Sequence, residues 1–492
     1  MGSRVLLLAW RLRVVALQEA HLVEVVNMKA SKTTSLTGSL GVHGWREYDS
    51  LILAALALEA PVLLIGVHGT AKTLLVERLA EALGGSFRHY NASLINYDDL
   101  VGIPYPDDIG GLKFIGSQSS IWGATFTFFD EVNRCRPDLQ NKMFPIIHER
   151  KVAGVSLSDL KHRWAAMNPP AAVDGIGEYV GAEPLDLALA DRFWLTIKVP
   201  TWSALTREER ALVVEGRLSE SVAISIPDLI DLTLSTLLSV ESEYGKFATS
   251  YVVSLADILI SKGIMISSRR SAVLRKLVLA SIAATSVLGE TLNIPDLLER
   301  LLLSGLPQWA DPAPPELATV LAAHRQAIDL AKLPTDSFKR RIFEEPDLIR
   351  RVNIALESSA EDTLLATTVL GALASLPTEA HKIALSAVFA ESLREHPLTP
   401  AAWSAIGENA ARVKRVGSHQ TQEAPGQRLD SWRKAAAWLS SSNGTRESDA
   451  LVRAIISSCG PDLIHKVNLD KFIEDINSYL KLFPLEASNV SR

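Results

Sequence analysis

The stretch that most constrains the fold is Pro61 to Thr73. The short apolar run PVLLI passes directly into Gly66-Val67-His68-Gly69-Thr70-Ala71-Lys72-Thr73, and a helical pattern follows from Leu74. A buried parallel strand, a glycine-containing loop and a helix opening on Lys-Thr are the parts that phosphate binding needs. Backbone N–H groups wrap the β-phosphate at a helix N-terminus, where aligned peptide dipoles favour negative charge. Gly66, Val67, His68, Gly69, Thr70, Ala71, Lys72, Thr73 and Leu74 are therefore expected to line a nucleotide. In this arrangement Lys72 neutralises β/γ oxygens and the Thr73 hydroxyl ligates Mg²⁺. The usual G-x-x-x-x-G-K-[ST] pattern has Gly where this chain has Ala71. Alanine there requires a negative φ and a methyl clear of the phosphates.

The surrounding pattern supplies a sheet for this loop. From Trp45 to about Val199, short β-like runs alternate with helical patterns, the signature of a parallel sheet with crossover helices. After Pro200 the β-like runs give way to leucine-rich segments of 3.6 period. A Pro-rich joint, Leu306 to Pro315, precedes a third region that is also Ala/Leu-rich. The expected organisation is an N-terminal helical segment 1–40, an α/β nucleotide-binding domain 41–200, a helical lid 201–306 and a helical C-terminal domain 316–492 for partner recognition or assembly. Within the last, 417–426 reads as an exposed loop.

Composition narrows the partners. The net charge of -6 gives no overall attraction to phosphate backbones, so nucleic acid is not the expected partner. The 2 cysteines, Cys135 and Cys459, lie far apart, encode neither a disulfide framework nor a zinc site, and suit a reducing cytoplasm. The apolar run after Arg4 is broken by Arg11 and Arg13. It is too short for a secretory core and reads as an amphipathic helix or an over-extended start site.

Three further stations follow the lysine loop. The run Ala124 to Phe129 reads as a buried strand ending in Asp130-Glu131, where α/β sheets bind ligands. Asp130 would hold Mg²⁺ through water and Glu131 would polarise the attacking water. A strand over Arg163 to Met167 ends in Asn168-Pro169, whose amide could meet the γ-phosphate or orient the water. Next, Leu187 to Phe193 is a helix end before a last strand, Trp194 to Val199, and Arg192 is a candidate arginine finger for a neighbouring subunit. His68, His89 and His148 have no ligand-spaced companions and read as packing or phosphate-adjacent residues. The cluster Lys339-Arg340-Arg341 with Arg350-Arg351 reads as a solvated helix face, or else as a docking patch.

From Trp45 to Leu306 these residues resemble the MoxR branch of the AAA+ ATPases, and the RavA-type members that carry extra sequence after the lid. Members of that branch often have Ala before the P-loop lysine. Their Walker B D-E-[IV]-N-R is matched by Asp130-Glu131-Val132-Asn133-Arg134, the most specific likeness. Their sensor 1 falls on Asn168 and their arginine-finger D-R-F on Arg192. Their S-x-R sensor 2 falls on Ser267-Ser268-Arg269, with Arg270 the alternative. A hairpin insert before Walker B is matched by Asp99 to Gly102 and Gly110 to Phe114, and implies that Tyr105 and Phe114 face a ring pore. The family's N-terminal motif is matched only loosely.

The resemblance implies a P-loop NTPase (AAA+) core, a hexameric ring and a chaperone-like remodeller that uses ATP and Mg²⁺. It also implies a partner with a von Willebrand factor type A domain, and no membrane span. The rival readings are a nucleic-acid-associated AAA+ motor and a nucleotide-gated scaffold with little turnover.

Overall fold

The structure is a computed structural model that describes residues 35–106, 112–152, 154–169, 185–216, 225–334, 337–357, 362–413, 427–441 and 447–485. The expected N-terminal helix and the 417–426 loop lie outside these residues, apart from Ser35 onward. The chain divides into two compact units, Met1–Lys332 and Leu333–Arg492.

The first unit opens with α1 (Leu36–Ser39) and α2 (Asp49–Ala57), then β1 (Val62–Ile65), α3 (Lys72–Leu83), β2 (Phe87–Asn91) and α4 (Tyr97–Val101). A small hairpin, β3 (Ile103–Pro106) and β4 (Leu112–Ile115), precedes β5 (Phe126–Asp130) and α5 (Pro137–Glu149). A second hairpin, β6 (Lys151–Val152) and β7 (Val155–Ser156), leads to β8 (His162–Met167), α6 (Leu187–Ala190) and β9 (Leu195–Lys198). Five strands form a parallel sheet in the order β2-β5-β8-β1-β9, with Val62 opposite both Trp164 and Leu195. The expected parallel core is therefore present, and β1 sits inside the sheet between β8 and β9 with its VLLI run buried on both faces.

Side-chain alternation assigns those faces. Val62, Leu64, Phe126, Phe128 and Ile197 enter one apolar layer, while Leu63, Ile65, Phe129 and Met167 enter the other. After the sheet, α7 (Arg207–Glu215) has no buried residue, and the first layer takes in the helices that follow it: α8 (Ile226–Ser261), α9 (Ser268–Val287), α10 (Ile294–Gly305) and α11 (Leu317–Lys332).

The Pro-rich joint lies inside this unit rather than at its edge. Beyond it, α11 buries Val320, Ala323 and Ala327, and the Tyr251 hydroxyl on α8 meets His324 Nδ1 on α11 at 2.8 Å. That buried polar contact and the shared apolar layer carry the division between units to Lys332.

The second unit is helical: α12 (Phe338–Glu344), α13 (Leu348–Glu357), α14 (Asp362–Ala374), α15 (Glu379–Ser392), α16 (Pro400–Ala410), α17 (Gln427–Ser441), α18 (Glu447–Ile464) and α19 (Leu469–Leu482). Its core is built from residues such as Val369, Val388, Phe389, Ile455 and Phe472. Much of the basic cluster is engaged locally. Arg340 Nε meets Glu344 at 2.5 Å, Arg350 pairs with Asp347 at 3.6 Å, and Arg351 donates to the carbonyls of Glu345 and Phe343.

Candidate functional site

At the end of β1 the chain must turn sharply without filling the space ahead of it. A Cβ on Gly66 would lie 2.7 Å from Val199 Cβ, so glycine lets the loop pass the end of β9. Gly69 has φ 75° and open space where a side chain would be. Thr70 Oγ1 donates to the Val67 carbonyl at 2.7 Å and closes the loop. The Lys72 ammonium donates back to the carbonyls of Gly66 at 2.7 Å and Val67 at 2.9 Å. Burial lowers the Lys72 pKa, and the charges of Asp130 and Glu131 act against that shift.

The helix begins at Lys72, two residues before Leu74, so Lys-Thr opens its first turn as expected. One expectation for this loop is overturned. Ala71 has φ 61° and ψ 23°, the left-handed conformation, where a negative φ had been required. Entry into α3 needs that turn, and the alanine accepts it at a cost on the order of 1–2 kcal/mol.

The carboxylates arrive from the end of β5, which β8 separates from β1 in the sheet. Thr73 Oγ1 donates to Asp130 Oδ2 at 3.3 Å, joining the first turn of α3 to the end of β5. His89 Nε2 on β2 stands 3.9 Å from the same oxygen. Glu131 turns left-handed with φ 55°, and its N–H donates to Asp130 Oδ1 at 2.8 Å. Its side chain is held between Ser93 Oγ at 3.2 Å and Arg134 Nη1 at 3.5 Å, still 29% exposed. The lysine loop and both carboxylates thus share one end of the sheet, with Glu131 open to water. Ser93 had not been singled out from the sequence, where it is one hydroxyl among many.

Asn168 follows β8 and is nearly buried. The Met167 carbonyl beside it accepts from Gly66 N at 3.2 Å, which places the Asn168 turn next to the start of the phosphate loop. Asn133 Nδ2 donates to the Asn168 carbonyl at 3.2 Å, tying the two strand ends together. That role for Asn133 was not evident from the motif.

The arginines are arranged differently. Arg192 lies over the Phe144 ring at 4.3 Å and donates to the Ala188 carbonyl, contacts with α5 and α6 rather than with the phosphate loop. Arg269 is 46% exposed and lies 3.7 Å from Asp191. Arg270 is 2% exposed, and all five of its N–H groups find acceptors. Nε reaches Asp191 Oδ1 at 3.2 Å, Nη1 the carbonyls of Trp194 and Gly305, and Nη2 those of Asp191 and Phe193. Arg270 is committed to the fold and leaves Arg269 as the guanidinium with freedom to reach a ligand. Burial lowers the His148 pKa, with Arg269 and Arg192 contributing next, so both arginines share one cationic neighbourhood.

The hairpin residues separate. Phe114 stacks on Trp122 with ring centroids 5.6 Å apart, whereas Tyr105 is exposed. A further element had not been anticipated. A cleft of about 270 Å³ adjoins the loop, bounded by Leu40–His43 and Trp45 on one side, Gly69–Ala71 below and Trp202 and Leu205 opposite. It is concave, largely apolar and next to the phosphate loop, as a nucleoside requires. Its only trace in the sequence was the pair Gly41 and Gly44 beside Trp45, and both glycines take a positive φ.

A five-stranded parallel sheet in which an interior strand feeds a lysine loop, with a second strand ending in Asp-Glu at the same end of the sheet, defines a P-loop nucleotide-binding protein of the AAA+ class. The family description "AAA domain (dynein-related subfamily)" matches residues 61–193. Among curated proteins, the uncharacterized protein YeaC of Bacillus subtilis is 29% identical over 168 residues, 32% of this chain and 48% of that protein. The chaperone MoxR1 of Mycobacterium tuberculosis is 31% identical over 172 residues, 33% of this chain and 41% of that protein. The chain spans under half the length of these relatives. A solved structure of a candidate ATPase from Cytophaga hutchinsonii covers 60% of this chain and 90% of its own, at 19% identity and a TM-score of 0.39, too low to add to the topology. The nucleotide-binding unit is that of a MoxR-like AAA+ ATPase. Among the described residues no helix is long and apolar enough to cross a membrane.

Proposed function

We propose that the chain hydrolyses Mg-ATP between subunits of a ring and uses the cycle to change the conformation of a protein partner. The observation that carries the reading is the 3.3 Å contact between Thr73 and Asp130, with Lys72 buried beside them. The Thr73 hydroxyl and Asp130 carboxylate are hard oxygen donors of the kind Mg²⁺ takes together with phosphate oxygens and water. Bound there, Mg²⁺ would neutralise charge on the β- and γ-phosphates.

The chain's own groups do the rest. Lys72 leaves the Gly66 and Val67 carbonyls for phosphate oxygens. Glu131 accepts a proton from the attacking water, with Ser93 and Arg134 orienting its carboxylate. Asn168 orients the water or the γ-phosphate. Arg192, mounted away from its own loop, is delivered to the nucleotide of the next subunit, and Arg269 engages the phosphates from the lid side. A protein client fits the relationship to a chaperone, and a von Willebrand factor type A domain is the partner class proposed from the MoxR resemblance. A hexameric ring working in the cytoplasm completes the reading.

The test is steady-state ATPase activity together with ATP binding for two variants. Lys72→Ala is expected to lose binding, and Glu131→Gln to bind ATP but not turn it over. If both variants hydrolyse ATP like the parent, the site is wrongly assigned. DNA that raises turnover would favour the nucleic-acid motor, and tight binding without turnover in the parent would favour the scaffold.

A further inference from the structure

Asp49 opens α2, well outside residues 61–193 that the AAA family description covers. It is 1% exposed, yet among the described residues its hydrogen-bond partners include no cation. Instead its two oxygens collect donors from the segment ahead of it. Oδ2 accepts from Ser35 Oγ at 2.6 Å and Leu36 N at 2.7 Å, and Oδ1 from Thr37 N at 3.0 Å and Thr37 Oγ1 at 2.7 Å. Burial raises the carboxyl's pKa, and these donors act against that shift. A carboxylate is acceptor-only, so it can satisfy all four donors at once.

Thr37 passes that anchoring on. While its N–H and hydroxyl are held by Asp49, its carbonyl accepts from Leu40 N at 3.1 Å and Val42 N at 3.0 Å. Leu40, Gly41, Val42 and His43 form the wall of the cleft beside the phosphate loop. Gly44 then passes Leu205 so closely that a Cβ there would lie 3.0 Å from Leu205 Cγ, bringing the two walls together. The buried carboxylate and the cleft are therefore linked through one residue, and none of these contacts involves Gly66 to Thr73.

We propose that Asp49 is a positioning residue for nucleotide recognition: through Thr37 it fixes the backbone wall against which the base end of a nucleoside triphosphate sits. The inference rests on the nucleotide reading above and extends it to a residue that touches no ligand. Its signature is selective. Loosening the wall weakens ligands that have a base and leaves ligands that are only phosphate unaffected, because the phosphate loop is anchored separately.

The experiment is calorimetric titration of the full chain with Mg-ATP and with inorganic tripolyphosphate. Asp49→Asn replaces one acceptor oxygen with a donor facing Leu36 N or Thr37 N. It is expected to weaken ATP binding about tenfold, with tripolyphosphate affinity changed less than about twofold. Thr37→Ala, which keeps the backbone contacts, should give a smaller loss in the same direction, and Thr37→Ser should restore parent affinity. Should the Asp49→Asn protein fail to fold, the Thr37 pair carries the test alone. Unchanged ATP affinity in Asp49→Asn and Thr37→Ala overturns the inference, as does an equal loss for both ligands. A parent that binds tripolyphosphate and ATP equally also overturns it, and a parent that binds neither overturns the nucleotide reading itself.

Discussion

Adjacent arginines at the start of α9 should respond oppositely to substitution. Arg270 is 2% exposed and its five N–H groups meet Asp191, Phe193, Trp194 and Gly305, whereas Arg269 is 46% exposed and lies 3.7 Å from Asp191. Arg270→Ala leaves a partly buried carboxylate and the carbonyls of Asp191, Phe193, Trp194 and Gly305 without their donor, a loss on the order of 3–5 kcal/mol by comparison with broken buried pairs. Arg270→Lys keeps the charge, but an ammonium has three donors in place of five. At about 1–1.5 kcal/mol for each of at least two lost hydrogen bonds, it should cost roughly 2–3 kcal/mol. Arg269→Ala removes a solvent-screened pair worth at most about 1 kcal/mol. Its loss should appear in ATP turnover instead. Urea unfolding followed by tryptophan fluorescence gives the stabilities, and steady-state ATPase activity gives the turnover. An Arg270→Ala protein as stable as Arg269→Ala to within about 0.5 kcal/mol would refute the division of labour.

Other outcomes follow from the same geometry. Arg192→Ala should lose turnover and regain it when mixed with Lys72→Ala subunits, each supplying what the other lacks; confirmed mixed rings without recovery argue against a shared site. Asn133→Ala removes the donor to the Asn168 carbonyl and should lower kcat with little change in ATP affinity, measured by pairing turnover with titration. His162 is buried beside Phe126, and burial pushes its pKa down to about 4 from 6.5. Above pH 6.5 it is neutral folded or unfolded, and its contribution is constant. As pH falls from 6.5 to about 4 only the unfolded chain takes up the proton, so stability drops across that window by on the order of 3 kcal/mol. His162→Phe should flatten that part of the acid-unfolding curve, and an unchanged curve would show that other groups govern it.

The sequence by itself determined the local elements around the candidate site. Runs of five or six residues placed β1, β5, β8 and β9 to within one or two residues, because a strand buried on both faces admits little else. The order Lys72, Asp130, Asn168, Arg192 was likewise readable, since each falls at a strand or helix end bounded by glycine, carboxylate or proline.

What only the tertiary structure decided depends on contacts between distant segments. Ala71 accepts a left-handed turn because the sheet end and α3 together dictate the path, which no local preference for alanine would indicate. Arg269 and Arg270 have equal standing in the chain. They are distinguished by the carbonyls of Asp191, Phe193, Trp194 and Gly305, which fold around one and not the other. The cleft beside the phosphate loop arises the same way, from segments near residues 40, 70 and 205, and the Asp49 carboxylate is satisfied by donors of Ser35, Leu36 and Thr37. Periodicity and motif report what a residue does to its neighbours along the chain, while hydrogen-bond satisfaction in a buried site depends on groups that only folding brings within reach.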